Sequence, residues 1–433
     1  MAPSVSVNIV GAGLGGLAAA IGLRRAGHSV KVLEKAPALG EIGAGIKVPP
    51  NSSRVFHGWG LLDALEKICI SPEEGRMRSY RTGEVLSTMP LGDSLRQTYK
   101  VPYFVVHCVD LQHMLAEAAE REGAVIEFGM DVAGVRDTSP KAFVQLASGE
   151  EMAADVVLGV DGERSCVRTS LLGQEFPWRD SGDHVFRATV PLPALEADDQ
   201  LRELGKRINW WVGPQGNALT YPLKRGGLNI VLTHVHAPDD AVQFAPKPIS
   251  KTEVTHEFQG WDPLFHRLLD LTSTWARWTL LHTDIESQWT REPGNIALVG
   301  HAAHALLPYL AQGAALAFED AAVLSVLFGA MQDKSQIPDI LTIFEAIRKP
   351  RAMEMHRRVG MARDIWSMPD GPQQRERDRQ LREHEPYDGY PNVLADPALT
   401  RWMFGYDAFE EARRAWRKFE RGEFPSTRGT WKC

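Results

Sequence analysis

The sequence predicts an α/β fold, in which a parallel sheet flanked by helices is combined with an inserted antiparallel sheet and a C-terminal helical extension. Strand and helix patterns alternate through the first half of the chain, which is typical of a parallel sheet. From about residue 180 to 278 the pattern changes to short strands rich in Trp, Val and Thr, and helix patterns return after it. Near its start the chain has a strand, a glycine-rich turn, a helix and a second strand. The parallel sheet is therefore predicted to be Rossmann-like and to bind a dinucleotide.

The first βα unit runs from Val5 to Glu34, and each of its glycines has a physical reason. Gly11 permits the tight turn, Gly13 lets a pyrophosphate approach the backbone, and Gly16 lets the helix pack closely on the strand. The helix N-terminus offers unpaired N–H groups and the positive end of its dipole to the phosphates. Glu34 is placed to bind the two ribose hydroxyls, and its charge favours NAD or FAD over NADP. A turn that serves only helix packing is the alternative interpretation.

Composition excludes several classes of function. The 433 residues carry a net charge of −7, and binding to phosphates needs a basic face, so no nucleic-acid partner is expected. No apolar run approaches the about 20 residues of a membrane span, and no secretory signal precedes the first strand. A cytoplasmic protein is expected, either monomeric or homodimeric. The cysteines lack the spacing of a zinc site or a disulfide framework, so no metal is expected; they are Cys69, Cys108, Cys166 and Cys433.

The changes of pattern along the chain predict three parts. A discontinuous nucleotide-binding domain takes residues 1–179 and 279–366, and a β-sheet domain for the substrate takes residues 180–278. Residues 367–433 are rich in Arg and Glu and are predicted to form a C-terminal extension on the surface. Helices are predicted over residues 314–331, 337–366 and 408–422.

Two later segments decide the family. Residues 156–168 read as a strand that ends in Asp-Gly and leads into a helix, and residues 295–321 read as a buried strand, a loop and a helix. Together with the N-terminal glycines and the sequence GAGI at residues 43–46, these segments resemble the class A flavoprotein monooxygenases, notably the fungal salicylate-hydroxylase-like branch. The resemblance covers nearly the whole chain, with three motifs in the right order over about 300 residues.

The resemblance implies a parallel sheet of the glutathione-reductase type that holds FAD in an extended pose. The substrate, a small aromatic or polyketide-like molecule, is expected between the flavin ring and the antiparallel sheet. NAD(P)H is expected to visit transiently as the reductant, and oxygen to be consumed in the hydroxylation. The candidate cofactor-binding residues are Gly11, Gly13, Leu14, Gly16, Glu34, Lys35, Gly45, Ile46, Cys108, Asp161, His301, Gly313 and Ala314.

The candidate catalytic or substrate-orienting residues are Arg187, Tyr221, His301 and Pro308. A helix that begins at Gly313 would direct its positive end at the N1/O2 side of a reduced flavin, and Pro308 would form a wall beside the ring. Arg187 and Tyr221 either orient the substrate or pair across strands. One of the two adjacent tryptophans at residues 210 and 211 is expected in a core, because alternate strand residues face opposite sides.

Two positions depart from the family pattern, and both lie where it holds the cofactor. His301 stands where relatives usually carry Asp, and Cys108 stands where they usually carry Arg. The alternative hypothesis is therefore a non-redox lyase, isomerase or cyclase with weakened or lost FAD binding, in which His301 acts as acid or base. In the first hypothesis His301 contacts the ribityl hydroxyls and Cys108 is a small buried residue. A non-catalytic binding protein is a third hypothesis.

Overall fold

A computed structural model of the chain describes residues 3–40, 45–174, 178–225, 227–236, 245–282, 287–291 and 294–424. Its strands are β1 (Ser6–Val10), β2 (Ser29–Glu34), β3 (Gly45–Val48), β4 (Glu74–Ser79), β5 (Val85–Pro90), β6 (Phe104–His107), β7 (Val125–Phe128), β8 (Val132–Asp137), β9 (Ala142–Leu146), β10 (Glu151–Ala154), β11 (Val156–Gly159), β12 (Arg179–Val190), β13 (Ile208–Gly213), β14 (Gly216–Leu223), β15 (Gly227–Val235), β16 (Lys247–Ile249), β17 (Trp275–His282) and β18 (Ile296–Leu298).

The α-helices are α1 (Leu14–Arg25), α2 (Pro50–Gly58), α3 (Leu62–Ile68), α4 (Gly92–Tyr99), α5 (Cys108–Arg121), α6 (Cys166–Leu172), α7 (Leu192–Leu195), α8 (Asp199–Leu204), α9 (Lys251–Glu257), α10 (Pro263–Asp270), α11 (His301–His304), α12 (Gly313–Gly329), α13 (Ile337–Trp366), α14 (Pro372–Glu383), α15 (Pro397–Phe404) and α16 (Ala408–Glu420). Short 3₁₀ turns cover Pro308–Leu310 and Lys334–Gln336. No helix within the described ranges is long and apolar enough to cross a membrane.

The parallel sheet has the strand order β18-β11-β1-β2-β7, and each neighbouring pair is parallel. Its central strands are apolar and buried on both faces, as expected for a sheet covered by helices such as α1 and α12. Parallel strands end at the same edge, so the glycine turn after β1 lies beside Glu34, Asp161 and Gly300. This confirms the predicted α/β fold and brings distant sequence motifs to one edge.

The antiparallel sheet has eight strands in the order β16-β17-β12-β15-β14-β13-β4-β5. Strands β4 and β5 were not assigned from the sequence. They come from residues 74–90, and β4 joins the sheet through a parallel pairing with β13. In β4 the buried residues alternate with half-buried arginines, and its pairing partner is more than 130 residues away, so no local pattern shows the contact.

The adjacent tryptophans of β13 separate onto opposite faces of this sheet, as the strand period requires. Trp211 belongs to a core made with helices α9 and α10, where its Nε1 donates a 2.8 Å hydrogen bond to Asp262. Trp210 packs in the core shared with the parallel-sheet domain. The sheet therefore turns one face to its own helices and the other to the parallel sheet.

The C-terminal helices confirm the predicted extension. Helix α16 packs on α12, and the Arg54 guanidinium donates hydrogen bonds to the carbonyl oxygens of Phe404 and Tyr406 at 2.8 Å each. The predicted helix over residues 408–422 ends two residues earlier, at Glu420, and the one predicted over 337–366 has the same bounds as α13. The extension therefore packs against α12, the helix that begins at Gly313.

Candidate functional site

One cavity of about 460 Å³ lies between the carboxyl edge of the parallel sheet and the inner face of the antiparallel sheet. Its volume is in the range of sites for small molecules and cofactors. Most of the candidate residues predicted from the sequence line this cavity, although they are spread over 300 positions of the chain. Those that line it are Gly13, Leu14, Gly45, Ile46, Cys108, Arg187, Tyr221, His301, Pro308, Gly313 and Ala314.

The three glycines of the first turn have different structural requirements. Gly11 has φ +102°, which only glycine adopts without strain, and a Cβ on Gly16 would overlap the carbonyl oxygen of Gly11. Gly13 has an ordinary extended backbone, and a Cβ there would meet no protein atom within 4 Å. Of the three glycines, Gly13 alone lines the cavity. The absence of a side chain there leaves space for a ligand and is not a requirement of the fold.

The acidic residues of the nucleotide half lie at the strand ends, outside the lining of the cavity. Glu34 accepts hydrogen bonds from the backbone N–H of Ala12 and of Ala36, at 2.8 and 2.9 Å. Each carboxylate oxygen keeps a further lone pair with which it could accept a ribose hydroxyl. Asp161 accepts from the Ser165 hydroxyl at 2.6 Å and stabilises the start of α6. Lys35 is exposed beside Glu34, and residues 43 and 44 of the predicted motif lie outside the described residues.

Three of the longer described helices begin at the cavity. Helices α1, α5 and α12 have no side-chain cap at their first turn, and residues of each first turn line the cavity. Unpaired N–H groups and the positive ends of three dipoles favour a ligand with several negative or carbonyl oxygens. None of the described lining residues is Asp or Glu. The cavity is therefore electrostatically suited to an anionic dinucleotide.

His301 lies in the wall between the loop after β18 and the start of α12. Burial lowers the pKa of His301, so its imidazole is neutral at neutral pH. Its Nε2 is buried without a hydrogen-bond partner among the described residues. A Cβ on Gly313 would overlap this nitrogen, so the histidine ring lies directly against the first turn of α12. A neutral imidazole can exchange a hydrogen bond with a ligand hydroxyl, as the first hypothesis requires.

Cys108 is the first residue of α5 and lines the cavity. Burial raises the pKa of its thiol, and the nearby Arg187 opposes the shift without reversing it. The thiol is therefore protonated at neutral pH, and Cys108 contributes a small apolar surface to the wall rather than a nucleophile.

A buried network of polar and charged side chains contacts α12. The Asn51 amide donates to the side chains of Gln312 at 2.9 Å and Glu319 at 2.7 Å. Arg348 Nε donates to Asp320 at 2.7 Å, and the His304 Nε2 lies 2.6 Å from the other oxygen of that carboxylate. Although burial opposes ionisation, the charges of His304 and Arg348 lower the pKa of Asp320 to about 2. His304 is thus a loop-positioning residue.

The substrate side of the cavity contains Arg187 on β12 and Tyr221 on β14. The two residues are not cross-strand partners: Arg187 is opposite Val231, and Tyr221 is opposite Asn229. The Arg187 guanidinium lies 5.7 Å from the ring centroid of Trp278, and the ring of Tyr221 faces Gly45. Both side chains are therefore available to a ligand in the cavity.

Sequence reasoning missed Lys47, which also lines this side of the cavity and is 7% exposed. The signal was a single lysine inside the short apolar run Ile46–Val48, two residues after the predicted contact Gly45. Alternate residues of a strand share a face, so Lys47 follows Gly45 toward the antiparallel sheet.

The comparisons with known proteins agree with this geometry. The sequence matches the family described as FAD binding domain over residues 4–359. The FAD-dependent monooxygenase OpS4 of Beauveria bassiana (strain ARSEF 2860) is 35% identical over 418 residues, which cover 94% of this chain and 96% of that protein. The 3-amino-4-hydroxybenzoate 2-monooxygenase PtnB3 of Streptomyces platensis is 33% identical over 402 residues, covering 93% and 96%. A solved salicylate hydroxylase–substrate complex shares the fold, with a TM-score of 0.79 at 22% identity over 95% of this chain and 98% of that one.

Proposed function

Since this chain belongs to the FAD binding domain family and is an FAD-dependent monooxygenase, we propose that it hydroxylates a small aromatic molecule bound against the antiparallel sheet. The observation that carries the proposal is the single cavity that extends from Gly13 at the start of α1 to Arg187 and Tyr221 on the sheet. A dinucleotide at the glycine turn and a substrate at the sheet would thus share one cavity.

The residues present fit FAD. Gly13 leaves room for a pyrophosphate, Glu34 has lone pairs for the ribose, and the unpartnered Nε2 of His301 can exchange a hydrogen bond with a ribityl hydroxyl. The uncapped start of α12, at Gly313 and Ala314, is suited to the carbonyl oxygens of a flavin ring. When bound, FAD would supply the redox chemistry, namely oxidation of NAD(P)H and activation of oxygen for hydroxylation of the ring.

The protein's own contribution is to bind, orient and exclude water. We assign the cofactor to residues 1–179 and 279–366 apart from β4 and β5, and the substrate to residues 180–278 together with these two strands. Pro308 in its 3₁₀ turn forms an apolar wall of the shared cavity. Tyr221 keeps its proton, because burial raises the pKa of the phenol, so it can donate a hydrogen bond to a bound substrate.

Oxygen-isotope labelling tests the proposal. The purified protein is supplied with FAD, NADH or NADPH, oxygen-18 gas and a panel of phenols and aromatic acids, and products are analysed by mass spectrometry. We expect NAD(P)H oxidation that depends on the aromatic compound, and a product that contains one oxygen-18 atom. A product formed without NAD(P)H, or one whose new oxygen comes from water, would contradict the proposal and favour the non-redox alternative.

We further propose a cytoplasmic monomer or homodimer with no nucleic-acid partner. The net charge of −7 and the scarcity of cysteines support this. Light scattering of the purified protein measures its oligomeric state.

A further inference from the structure

Lys47 occupies an unusual position for a lysine. It lies in the short strand β3, on the face where a Cβ at Gly45 would meet the ring of Tyr221. Its Nζ is 5.6 Å from the centroid of the Trp210 ring, and among the described residues none makes a hydrogen bond or ion pair to it. Buried lysines normally have a carboxylate partner, because an unpaired buried charge is costly.

Among the residues that the structure describes, the titratable groups around Lys47 provide no negative charge. Arg187 on β12 is a second cation. Burial, and to a smaller extent the charge of Arg187, lowers the pKa of Lys47 to about 7. Burial raises the pKa values of Tyr221 on β14, Cys108 on α5 and Tyr103 before β6, so all three are neutral at neutral pH. A further titratable residue in the described part of the chain is His107 on β6, which is opposite Gly45 in the ladder with β3.

The walls beside these two cations are apolar and aromatic. Trp210, Tyr221, Leu219 and Val231 belong to the inner face of the antiparallel sheet, and the last three line the cavity. A ligand that fits here combines an apolar ring with an anionic group directed at Lys47 and Arg187. The turn at Gly13, where the pyrophosphate of FAD is assigned, is formed by another element at the edge of the parallel sheet.

We propose that Lys47 and Arg187 form a subsite that binds the carboxylate of an aromatic acid substrate, and that Lys47 takes up a proton when the carboxylate binds. This inference rests on the proposed function. Arg187, which is permanently charged, can form two parallel hydrogen bonds to the carboxylate. The Lys47 amine accepts one proton from solvent and becomes an ammonium ion, so the pair ends as one carboxylate held by two cations.

The uptake of this proton determines how the affinity for a carboxylate changes with pH. In the free protein Lys47 is largely neutral above about pH 7. A bound carboxylate favours the charged amine and raises its pKa, so binding takes up a proton in this range. The affinity for a carboxylate is therefore expected to fall by up to about tenfold per pH unit above pH 7, while a neutral ligand shows no such fall.

Calorimetry with benzoate tests the proposal, and benzamide is the matched neutral ligand. The FAD-loaded protein is titrated without NAD(P)H at about pH 8, in buffers with different heats of ionisation, which report the protons exchanged on binding. We expect nearly one proton taken up per benzoate, none per benzamide, and at least tenfold tighter binding of benzoate. Lys47→Met is expected to lose the proton uptake and to show a weaker preference for benzoate, which Arg187 alone then provides. Lys47→Arg should keep the preference without the uptake, because arginine is already charged.

Three results would overturn the proposal: equal binding of benzoate and benzamide by the wild type, proton uptake that persists in Lys47→Met, or uptake that disappears in His107→Gln. The FAD absorbance of each variant reports its folding, and Lys47→Arg remains informative if Lys47→Met is unstable. Because no reductant is present, a negative result here is separate from a failure of the oxygen-labelling experiment.

Discussion

At the scale of single residues, the first turn shows how one motif combines requirements of the fold with a requirement of the ligand. Gly11 and Gly16 are needed by the backbone, through a positive φ and a close approach of the helix to the turn. Neither requirement applies at Gly13, since its φ is −68° and the space beside it is open. We therefore expect substitutions at Gly11 and Gly16 to destabilise the fold, and a substitution at Gly13 to weaken FAD binding instead.

Gly13→Val is expected to weaken FAD binding by roughly 100-fold, about 3 kcal/mol, because the side chain would occupy the space of the pyrophosphate. The free energy of unfolding without FAD should change by about 1 kcal/mol or less, since a Cβ at this position meets no protein atom within 4 Å. Gly16→Ala is the contrasting control and should destabilise the FAD-free fold by more than about 2 kcal/mol. Urea denaturation and FAD titration measure the two effects; a stable Gly16→Ala protein would refute the separation.

His301 and Gly313 are coupled, because the imidazole occupies the place of a side chain on the helix. We expect Gly313→Ala to destabilise the protein by about 1–3 kcal/mol through overlap with the ring. In a His301→Ala background the same change should be neutral or slightly stabilising, since alanine is preferred to glycine in a helix. Urea denaturation of the four proteins gives the coupling energy, expected at about 1–3 kcal/mol. Additive effects would show that the ring does not lie against α12.

At the scale of elements, α12 is held in place by charged side chains from neighbouring helices. Glu319 and Asp320, consecutive and fully buried on α12, face Arg348 and Arg351 of α13. The same arginines contact the ring of Tyr406 between α15 and α16. Because α12 begins at the cavity, this network fixes the orientation of the N–H groups that Gly313 and Ala314 offer to a ligand.

Arg348→Met is expected to destabilise the protein by about 3–5 kcal/mol, because the buried carboxylate of Asp320 would lose the guanidinium that pairs with it. Arg357→Met is the matched control on the same helix: Arg357 pairs with Glu354 at the surface, and its loss should cost less than about 1 kcal/mol. Urea denaturation at neutral pH compares the two variants. Equal effects would mean that the buried network contributes no more than a surface ion pair.

At the scale of the whole molecule, the antiparallel sheet is joined to the helices around the cavity by one buried carboxylate. Asp183 of β12 accepts a 2.9 Å hydrogen bond from the Tyr309 hydroxyl. It also accepts two from Arg363 of α13, at 2.6 and 2.7 Å. Tyr309 belongs to the same 3₁₀ turn as Pro308, so this contact sets the wall of the cavity relative to the substrate sheet.

The sequence was sufficient to predict features whose signals are local. The glycine turn, Glu34 at the end of β2 and the helix that begins at Gly313 depend on a few neighbouring residues. Pairings between distant segments left no such signal, as with β4 beside β13 and Asp183 beside Tyr309. Lys47 was missed for the same reason, because only the assembled cavity shows that the described residues around it carry no negative charge.

The central claim, that one cavity holds FAD for use in monooxygenation, is tested most directly by the visible spectrum of the purified protein. FAD is added in excess, free cofactor is removed by gel filtration, and the spectrum is recorded before and after addition of NAD(P)H. We predict a yellow protein with one FAD per chain. With an aromatic substrate present, its flavin absorbance is bleached by NAD(P)H without oxygen and returns when oxygen is admitted. A folded protein that remains colourless after this treatment would contradict the claim.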